Sequence, residues 1–177
     1  LLNQHAFGNY RQLLEAITLN PAMGAYLNTR GNQGENPKTG RLPDENYARE
    51  VMQLFTIGLY QLNADGTLKR GANGQPIETY GASDVSNLAR VFTGYNWDTT
   101  GHVKGTNPVK FRNPMAFTAA KHSTMDASFL GTTIAGNAPG AQALDTALDT
   151  LFNHANTAPF IAHQLIQRLV TSNPSSA

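Results

Sequence analysis

Residues 44–58 carry the most complete helical pattern in the chain and predict a central helix of about four turns. Asp44 is a candidate N-cap, and Gly58 is a candidate left-handed C-cap. Apolar residues occupy most of the helix circumference: Tyr47, Ala48, Val51, Met52, Leu54, Phe55 and Ile57. We therefore expect protein to surround this helix and the other elements to pack against it.

Helical spacing recurs in five further segments, residues 7–18, 21–27, 83–92, 142–153 and 157–170. In the last segment we expect the apolar side chains to pack inward: Phe160, Ile161, Leu165, Leu169 and Val170. Clear strand alternation occurs only near residues 60–69, and short extended pieces are expected near Phe117 and Leu130. The pattern predicts a mainly α fold, in which residues 1–177 form a single irregular multi-helix domain with a long polar loop and a small β-hairpin.

The long polar loop comprises residues 28–42 and is called the 28–42 loop below. It consists mainly of Gly, Pro, Asn, Gln, Thr and charged residues, with almost nothing apolar to hold it down. Loops of this length without secondary structure are usually functional or mobile. Because this loop leads directly into the central helix, we consider it a candidate lid over the polar side chains of that helix.

The predicted hairpin turns at residues 63–66, where Asn63, Asp65 and Gly66 provide a typical turn sequence. The same three residues also fit positions three, five and six of a calcium-binding loop. Positions one and twelve of that loop would be Gln61 and Ala72, so the strongest ligands are missing. We therefore prefer an ordinary turn.

Composition and charge exclude several classes of function. Lys plus Arg total 13 and Asp plus Glu total 12, and neither sign forms a block, so nucleic acid and acidic membrane surfaces are not expected partners. No window approaches about 18 continuous apolar residues, so no integral membrane segment is expected. The absence of Cys excludes disulfides, thiolate metal sites and cysteine nucleophiles.

Candidate chemistry lies on a polar stripe of the central helix: Asn46, Arg49, Glu50 and Gln53. In a functional interpretation, Arg49 keeps Glu50 deprotonated as a general base, a metal ligand or a substrate clamp. In a structural interpretation, which we prefer, a buried Arg49–Glu50 pair ties the helix to its neighbours. The five histidines show no metal-ligand spacing, and the sequence identifies neither a metal site nor a cofactor.

The segment Glu45-Asn46-Tyr47-Ala48-Arg49-Glu50, followed by Gln53-Leu54-Phe55-Thr56-Ile57-Gly58, resembles the signature of the bacterial domain-of-unknown-function 1800 family. Further matching pieces follow the family's order: Asn20-Pro21-Ala22-Met23, Tyr80, Asp84-Val85, Leu88-Ala89-Arg90, Thr93-Gly94-Tyr95, His122, Phe129-Leu130-Gly131 and Phe160-Ile161-Ala162. Many members follow the His with Asp and have Lys shortly before the Phe-Leu-Gly, where this chain has Ser123 and Ala127. The resemblance implies an internal fragment of a longer bacterial protein that is exported to the periplasm or the cell exterior.

Two functions remain open at this point. The first is a binding or assembly module with a buried Asn/Arg/Glu polar centre, whose partner is another protein or the remainder of its own chain. The second is a hydrolase in which Glu50 and His122, with Arg49 and Asn46, act as acid/base or metal-ligand residues. His122 enters this list mainly through the family resemblance. Glu50 and His122 within about 6 Å of each other in a water-filled concavity would favour the hydrolase.

Overall fold

The structure, a computed structural model, describes residues 1–174. Its seven α-helices in that range are α1 Leu2–His5, α2 Tyr10–Thr18, α3 Pro21–Tyr26, α4 Asn46–Gln53, α5 Ala82–Val91, α6 Gly140–Phe152 and α7 Thr157–Leu169. Four short strands form two antiparallel pairs, β1 Tyr95–Asn96 with β2 Ala116–Phe117, and β3 Ala127–Phe129 with β4 Thr132–Ile134. Single turns of 3₁₀-helix occupy Val109–Phe111 and Ala119–Lys121.

The core is built around α5, which packs against α4, α6 and β3, while α2 packs on α6. Val51 and Met52 from α4, Leu88 from α5 and Leu148 from α6 are completely buried. Tyr47 meets Phe92 edge to face, with ring centroids 4.8 Å apart, and the Tyr47 hydroxyl lies 2.6 Å from Thr18 Oγ1. The predicted central helix therefore belongs to the core through Tyr47, Ala48, Val51 and Met52, but protein does not surround it, because Leu54 is 48% exposed.

The central helix is shorter than predicted, since α4 contains 8 residues and ends at Gln53. Its chain continues through a turn to Gly58, where the positive φ of 67° confirms the predicted left-handed position. At the other end, Asp44 Oδ1 accepts a hydrogen bond from the Asn46 N–H at 2.9 Å, although Glu45 occupies the N-cap position. Neither predicted residue is the cap itself, because the N-cap is Glu45 and the C-cap is Leu54.

The prediction of a mainly α fold is wrong. The structure is 40% helical and 11% strand, so it is a mixture of helix and short strands. The strand pairs have only two or three residues per strand, and isolated bridges such as Tyr60 with Glu78 and Arg70 with Pro76 add to them. Segments this short cannot show the alternation that identifies a strand, and β1 pairs with β2 across about twenty intervening residues.

Residues 59–80 contain more β-like pairing than the single hairpin predicted there. The Gln61 N–H donates to the Ile77 carbonyl, the Ile77 N–H to the Lys69 carbonyl, and the Lys69 N–H to the Gln61 carbonyl, which closes a ring of three bonds at 2.8–3.1 Å. The turn predicted at residues 63–66 is present, and Asp65 Oδ1 accepts bonds from both the N–H and the hydroxyl of Thr67. Three extended segments therefore meet where one hairpin was expected.

The expected inward packing of α7 is wrong for its second half. Leu165 and Ile166 are exposed, and Leu169 and Val170 each keep 78% of their surface exposed. Phe160 and Ile161 are partly buried as expected, and Phe160 lies against Gly58. Helical periodicity shows that a helix has an apolar face, but it does not show what covers that face.

Candidate functional site

The polar stripe of α4 is not the buried centre that its sequence suggested. The Arg49 side chain is 47% exposed, and its Nη2 bonds Glu45 Oε2 at 3.2 Å, one turn earlier on the same helix. Glu45 also accepts a bond from the Ser86 hydroxyl on α5 at 2.6 Å. The Glu50 carboxylate makes no hydrogen bond or ion pair in the described part of the chain, although the Glu50 carbonyl accepts the Leu54 N–H. The expected buried Arg49–Glu50 pair is replaced by a half-exposed Arg49–Glu45 pair.

The 28–42 loop is anchored along its length by main-chain bonds. The Gly31 N–H donates to the Tyr95 carbonyl at 2.8 Å, the Gly94 N–H donates to the Asn32 carbonyl at 2.9 Å, and the Gly34 N–H donates to the Lys121 carbonyl at 2.9 Å. Asn32 is buried, and its side-chain amide makes two reciprocal bonds with the main chain of Asp44. These bonds hold the loop against the protein and argue against the lid that we predicted.

A polar cluster that the sequence did not indicate joins this loop to α5. Glu35 Oε1 accepts a bond from Arg90 Nε at 2.9 Å, and Glu35 Oε2 accepts one from the Ser123 hydroxyl at 2.6 Å. Arg90 Nη1 also donates to Asn87 Oδ1 and to the Asp126 carbonyl, both at 2.6 Å. We call Glu35, Arg90 and Ser123 the loop-anchor cluster, because they connect three segments that are distant in sequence.

The electrostatics of the loop-anchor cluster favour its charged form. The Glu35 and Arg90 side chains are 15% and 23% exposed. Burial alone would raise the pKa of Glu35, but the hydrogen bonds from Ser123 and Arg90, together with the charge of Arg90, outweigh burial and lower the pKa of this carboxyl. Glu35 is therefore a carboxylate with both oxygens occupied, which suits a structural role better than proton transfer.

His122 lies beside this cluster. Its Nδ1 is 2.9 Å from the Thr93 carbonyl and 3.1 Å from the Thr93 hydroxyl, and its ring meets Phe117 at a centroid distance of 5.1 Å. Neither a hydrogen bond nor an ion pair joins His122 to Glu50, Arg49 or Asn46 within residues 1–174. His122 is thus not bonded to the other three residues of the proposed hydrolase set, and a catalytic role for these residues stays a prediction.

Sequence reasoning missed Glu35, although one signal could have identified it. Glu35 is the only acidic residue in the 28–42 loop, which also contains Arg30, Lys38 and Arg41. A lone carboxylate in a loop predicted to cover the protein is a reasonable candidate for an anchor. Its partners, Arg90 and Ser123, lie 55 and 88 residues further along the chain, so no spacing rule could have named them.

Two surfaces of the described residues are candidate binding sites. The first is the exposed apolar side of α7, described above. The second is an open, polar cavity of about 320 Å³ beside the 28–42 loop, with Arg30 and Arg41 in its wall.

Within residues 1–174, no three His, Asp or Glu side chains converge in a way that could hold a metal ion. No helix in that range is both long and apolar enough to cross a bilayer.

Comparison with known proteins establishes the family but gives no activity. No curated protein and no solved structure matches the chain. A family model described as "Protein of unknown function (DUF1800)" matches residues 1–177, which is the whole chain. The chain therefore belongs to the DUF1800 family.

Proposed function

We propose that this chain is an assembly module that pairs with a second copy of itself through α7. The observation that carries the proposal is a continuous row of exposed apolar side chains, formed by Leu165, Ile166, Leu169 and Val170. We call these four residues the outward stripe. Apolar patches of this kind usually mark protein interaction sites.

The outward stripe lies on the side of α7 that faces away from the protein. At about 100° per residue, Leu165, Ile166 and Leu169 fall on one half of the helix, and Val170 follows directly as its C-cap. The opposite half contains Thr157, Phe160 and His163, which are buried or partly buried, and His163 lies 3.4 Å from where a side chain on Gly66 would begin. The helix is therefore held by its other side, and its apolar side is available to a partner.

The chemistry of the stripe suits a second copy. Arg168 is the only Asp, Glu, Lys or Arg in α7, and it lies at the flank of the stripe, not within it. Two such helices can pack antiparallel about a twofold axis, with each apolar row covering the other and without opposed charges in the centre. A single helix face is smaller than the roughly 800 Å² per partner of a stable interface, so we expect weak association.

The proposal is tested by sedimentation equilibrium and light scattering on the purified chain from about 10 μM to 1 mM, the range in which small interfaces associate. We expect a reversible monomer–dimer equilibrium, and we expect the double variant Leu165→Gln/Leu169→Gln to remain monomeric. Leu42→Gln is the matched control, because Leu42 is 75% exposed and lies outside α7. A wild-type chain that stays monomeric throughout, or a Leu42→Gln variant that loses the dimer equally, would refute the proposal.

We further propose that this assembly takes place in the periplasm or outside the cell. The support is the resemblance to exported members of the family, and the absence of Cys is compatible with an oxidising compartment. Detection of the natural protein in the cytoplasmic fraction, and its absence from the periplasmic and secreted fractions, would contradict an exported location.

A further inference from the structure

The polar cavity beside the 28–42 loop is lined by charged and polar residues that the proposed self-association does not use. It measures about 320 Å³, and most of the residues that line it are polar or charged. Two guanidinium groups, Arg30 and Arg41, line it together with the side chains of Asn28, Gln33 and Asp44. This volume is at the lower end of the range for small-molecule pockets. It is larger than an inorganic ion requires.

Arg30 is held by an aromatic ring and has donors to spare. Its guanidinium carbon lies 4.1 Å from the centre of the Trp97 ring, so the cation stacks on the indole. Its main-chain N–H is fixed by the Gly24 carbonyl at 2.9 Å. Within residues 1–174, the Arg30 guanidinium donates no hydrogen bond and forms no ion pair. Its position is set, while its N–H groups remain available.

Arg41 is also held at one end only. Its Nε donates to the Gly34 carbonyl at 3.0 Å, which orients the guanidinium plane. Neither of its terminal nitrogens has an acceptor in the described residues. Because the bond to Gly34 orients the group before any ligand arrives, little side-chain entropy is lost when these nitrogens bind an anion.

The remaining charged group on the wall, the Asp44 carboxylate, already accepts hydrogen bonds from within the protein. Asp44 Oδ1 accepts from the Asn46 N–H at 2.9 Å, and Asp44 Oδ2 accepts from Asn28 Nδ2 at 3.2 Å. Two arginines and one aspartate leave one net positive charge on the wall. A single negative charge on a ligand would balance it, whereas a dianion would leave an excess of negative charge.

We infer that this cavity binds a small hydroxylated monocarboxylate, of the size and type of an acidic monosaccharide. The planar guanidinium of Arg41, with that of Arg30, holds the carboxylate by paired N–H···O bonds. The amides of Gln33 and Asn28 offer donors and acceptors to the hydroxyl groups of such a ligand. Charge selects the carboxylate, and the polar lining selects a hydroxylated molecule over an apolar acid.

The single tryptophan makes the inference testable without a known substrate. Because Arg30 stacks on Trp97, a ligand bound to Arg30 is expected to change Trp97 emission. The wild-type chain is titrated with sodium glucuronate at constant ionic strength, since salt screens such contacts. Glucose serves as the neutral comparison ligand, and inorganic phosphate at about pH 8, where the dianion is its main form, serves as the dianionic one. We expect a saturable change with glucuronate, a much weaker one with phosphate and none with glucose.

Variants distinguish binding in this cavity from a general attraction between the ligand and the positive charges of the protein. Arg41→Gln should weaken glucuronate binding about tenfold or more, because charge-assisted bonds are lost. Arg70→Gln removes the same charge from an exposed arginine outside the cavity, and it should leave the affinity unchanged. For Arg30→Gln, which also alters the tryptophan environment, saturation-transfer NMR of the ligand replaces fluorescence. Circular dichroism confirms that each variant is folded.

Several results would overturn the inference. No response to glucuronate up to about 50 mM, which is weaker than millimolar binding, would show that the cavity takes no such ligand. Phosphate binding as tight as glucuronate would indicate a simple anion site, and equal binding of glucose would remove the role of charge. An Arg70→Gln variant weakened as much as Arg41→Gln would show that attraction is general and not located in this cavity.

Discussion

Replacing Glu35 by Gln keeps the shape of the side chain and removes one negative charge from the loop-anchor cluster. The Gln carbonyl can still accept the bond from Ser123, but its NH₂ group then faces the Nε–H of Arg90, and two donors cannot bond. One charge-assisted hydrogen bond is lost, at a cost of about 1.5–3 kcal/mol. The remaining acceptors of Arg90, Asn87 Oδ1 and the Asp126 carbonyl, are neutral.

The expected loss is about 2 kcal/mol, below the 3–5 kcal/mol of a fully buried pair that loses one partner. The reduction is needed because the Arg90 side chain is 23% exposed and solvent screens part of its charge. For a domain of this length, such a loss lowers the thermal midpoint by about 4–8 °C. Urea unfolding at pH 7 measures the free energy of unfolding directly, and a circular dichroism melt measures the midpoint.

Glu50→Gln is the matched control, because the Glu50 carboxylate makes no hydrogen bond or ion pair in residues 1–174. We expect it to change the free energy of unfolding by less than about 0.5 kcal/mol. A buried Arg49–Glu50 pair, which the sequence suggested, would instead have implied a large loss of stability for this variant. If Glu50→Gln loses as much stability as Glu35→Gln, or if Glu35→Gln loses less than about 0.5 kcal/mol, our account of the loop-anchor cluster is wrong.

The stability difference between wild type and Glu35→Gln should depend on pH in a defined way. The pKa of Glu35 is lowered in the folded chain, so the unfolded state binds more protons in the acidic range. The stabilisation by Glu35 is present above the unfolded pKa of about 4.3 and is lost as pH falls through the folded pKa. The difference between wild type and Glu35→Gln should therefore shrink as pH falls from about 5 to 3. A difference that stays constant over this interval would show that the charge of Glu35 is not responsible.

Two further stability predictions rest on packing and on buried amide bonds. Gly58→Ala should cost clearly more than Gly40→Ala, because both positions have positive φ, but only at Gly58 would the added Cβ lie 2.6 Å from the Phe160 ring. Gly40→Ala should cost about 1 kcal/mol, the price of the backbone conformation alone, and equal losses in urea unfolding would contradict the role of Phe160. Asn156→Ala should cost about 2–4 kcal/mol, because buried Asn156 donates to the carbonyls of residues 57 and 60 and accepts from the N–H of residue 62. The exposed Asn153→Ala is its control, and an equally large loss there would point to helix ends in general.

The helices of the core could be predicted because their signals are local. The buried positions of α5 are Val85, Leu88, Ala89 and Val91, and all four lie in the segment 83–92, where helical spacing predicted a helix. The helix begins at Ala82, one residue before the predicted range 83–92, and Asp84 in its first turn accepts a bond from the N–H of the N-cap Gly81 at 2.8 Å. Caps and apolar periodicity extend over a few residues, so a single sequence contains them.

The predicted Arg49–Glu50 pair on α4 was wrong for a reason that lies in helix geometry. Arg49 can reach a carboxylate either beside it, at Glu50, or one turn earlier, at Glu45. Neighbouring residues point about 100° apart on a helix, whereas residues four apart lie on the same side, so Glu45 is the better partner. The structure has the Arg49–Glu45 bond at 3.2 Å. The sequence contained the correct pair, and the i, i+4 rule favoured it over the adjacent one.

The 28–42 loop shows why polar composition was a poor guide to mobility. Composition counts side chains, whereas the loop is fixed largely by its main chain, through the bonds of Gly31, Asn32 and Gly34 to distant segments. Gly34 permits one of these bonds, because a Cβ there would lie 2.7 Å from the main chain of Ser123. The close approach brings Glu35, the next residue, to Arg90, and the Gly34 carbonyl orients Arg41 toward the polar cavity. Anchoring the loop and shaping the cavity thus depend on the same short segment.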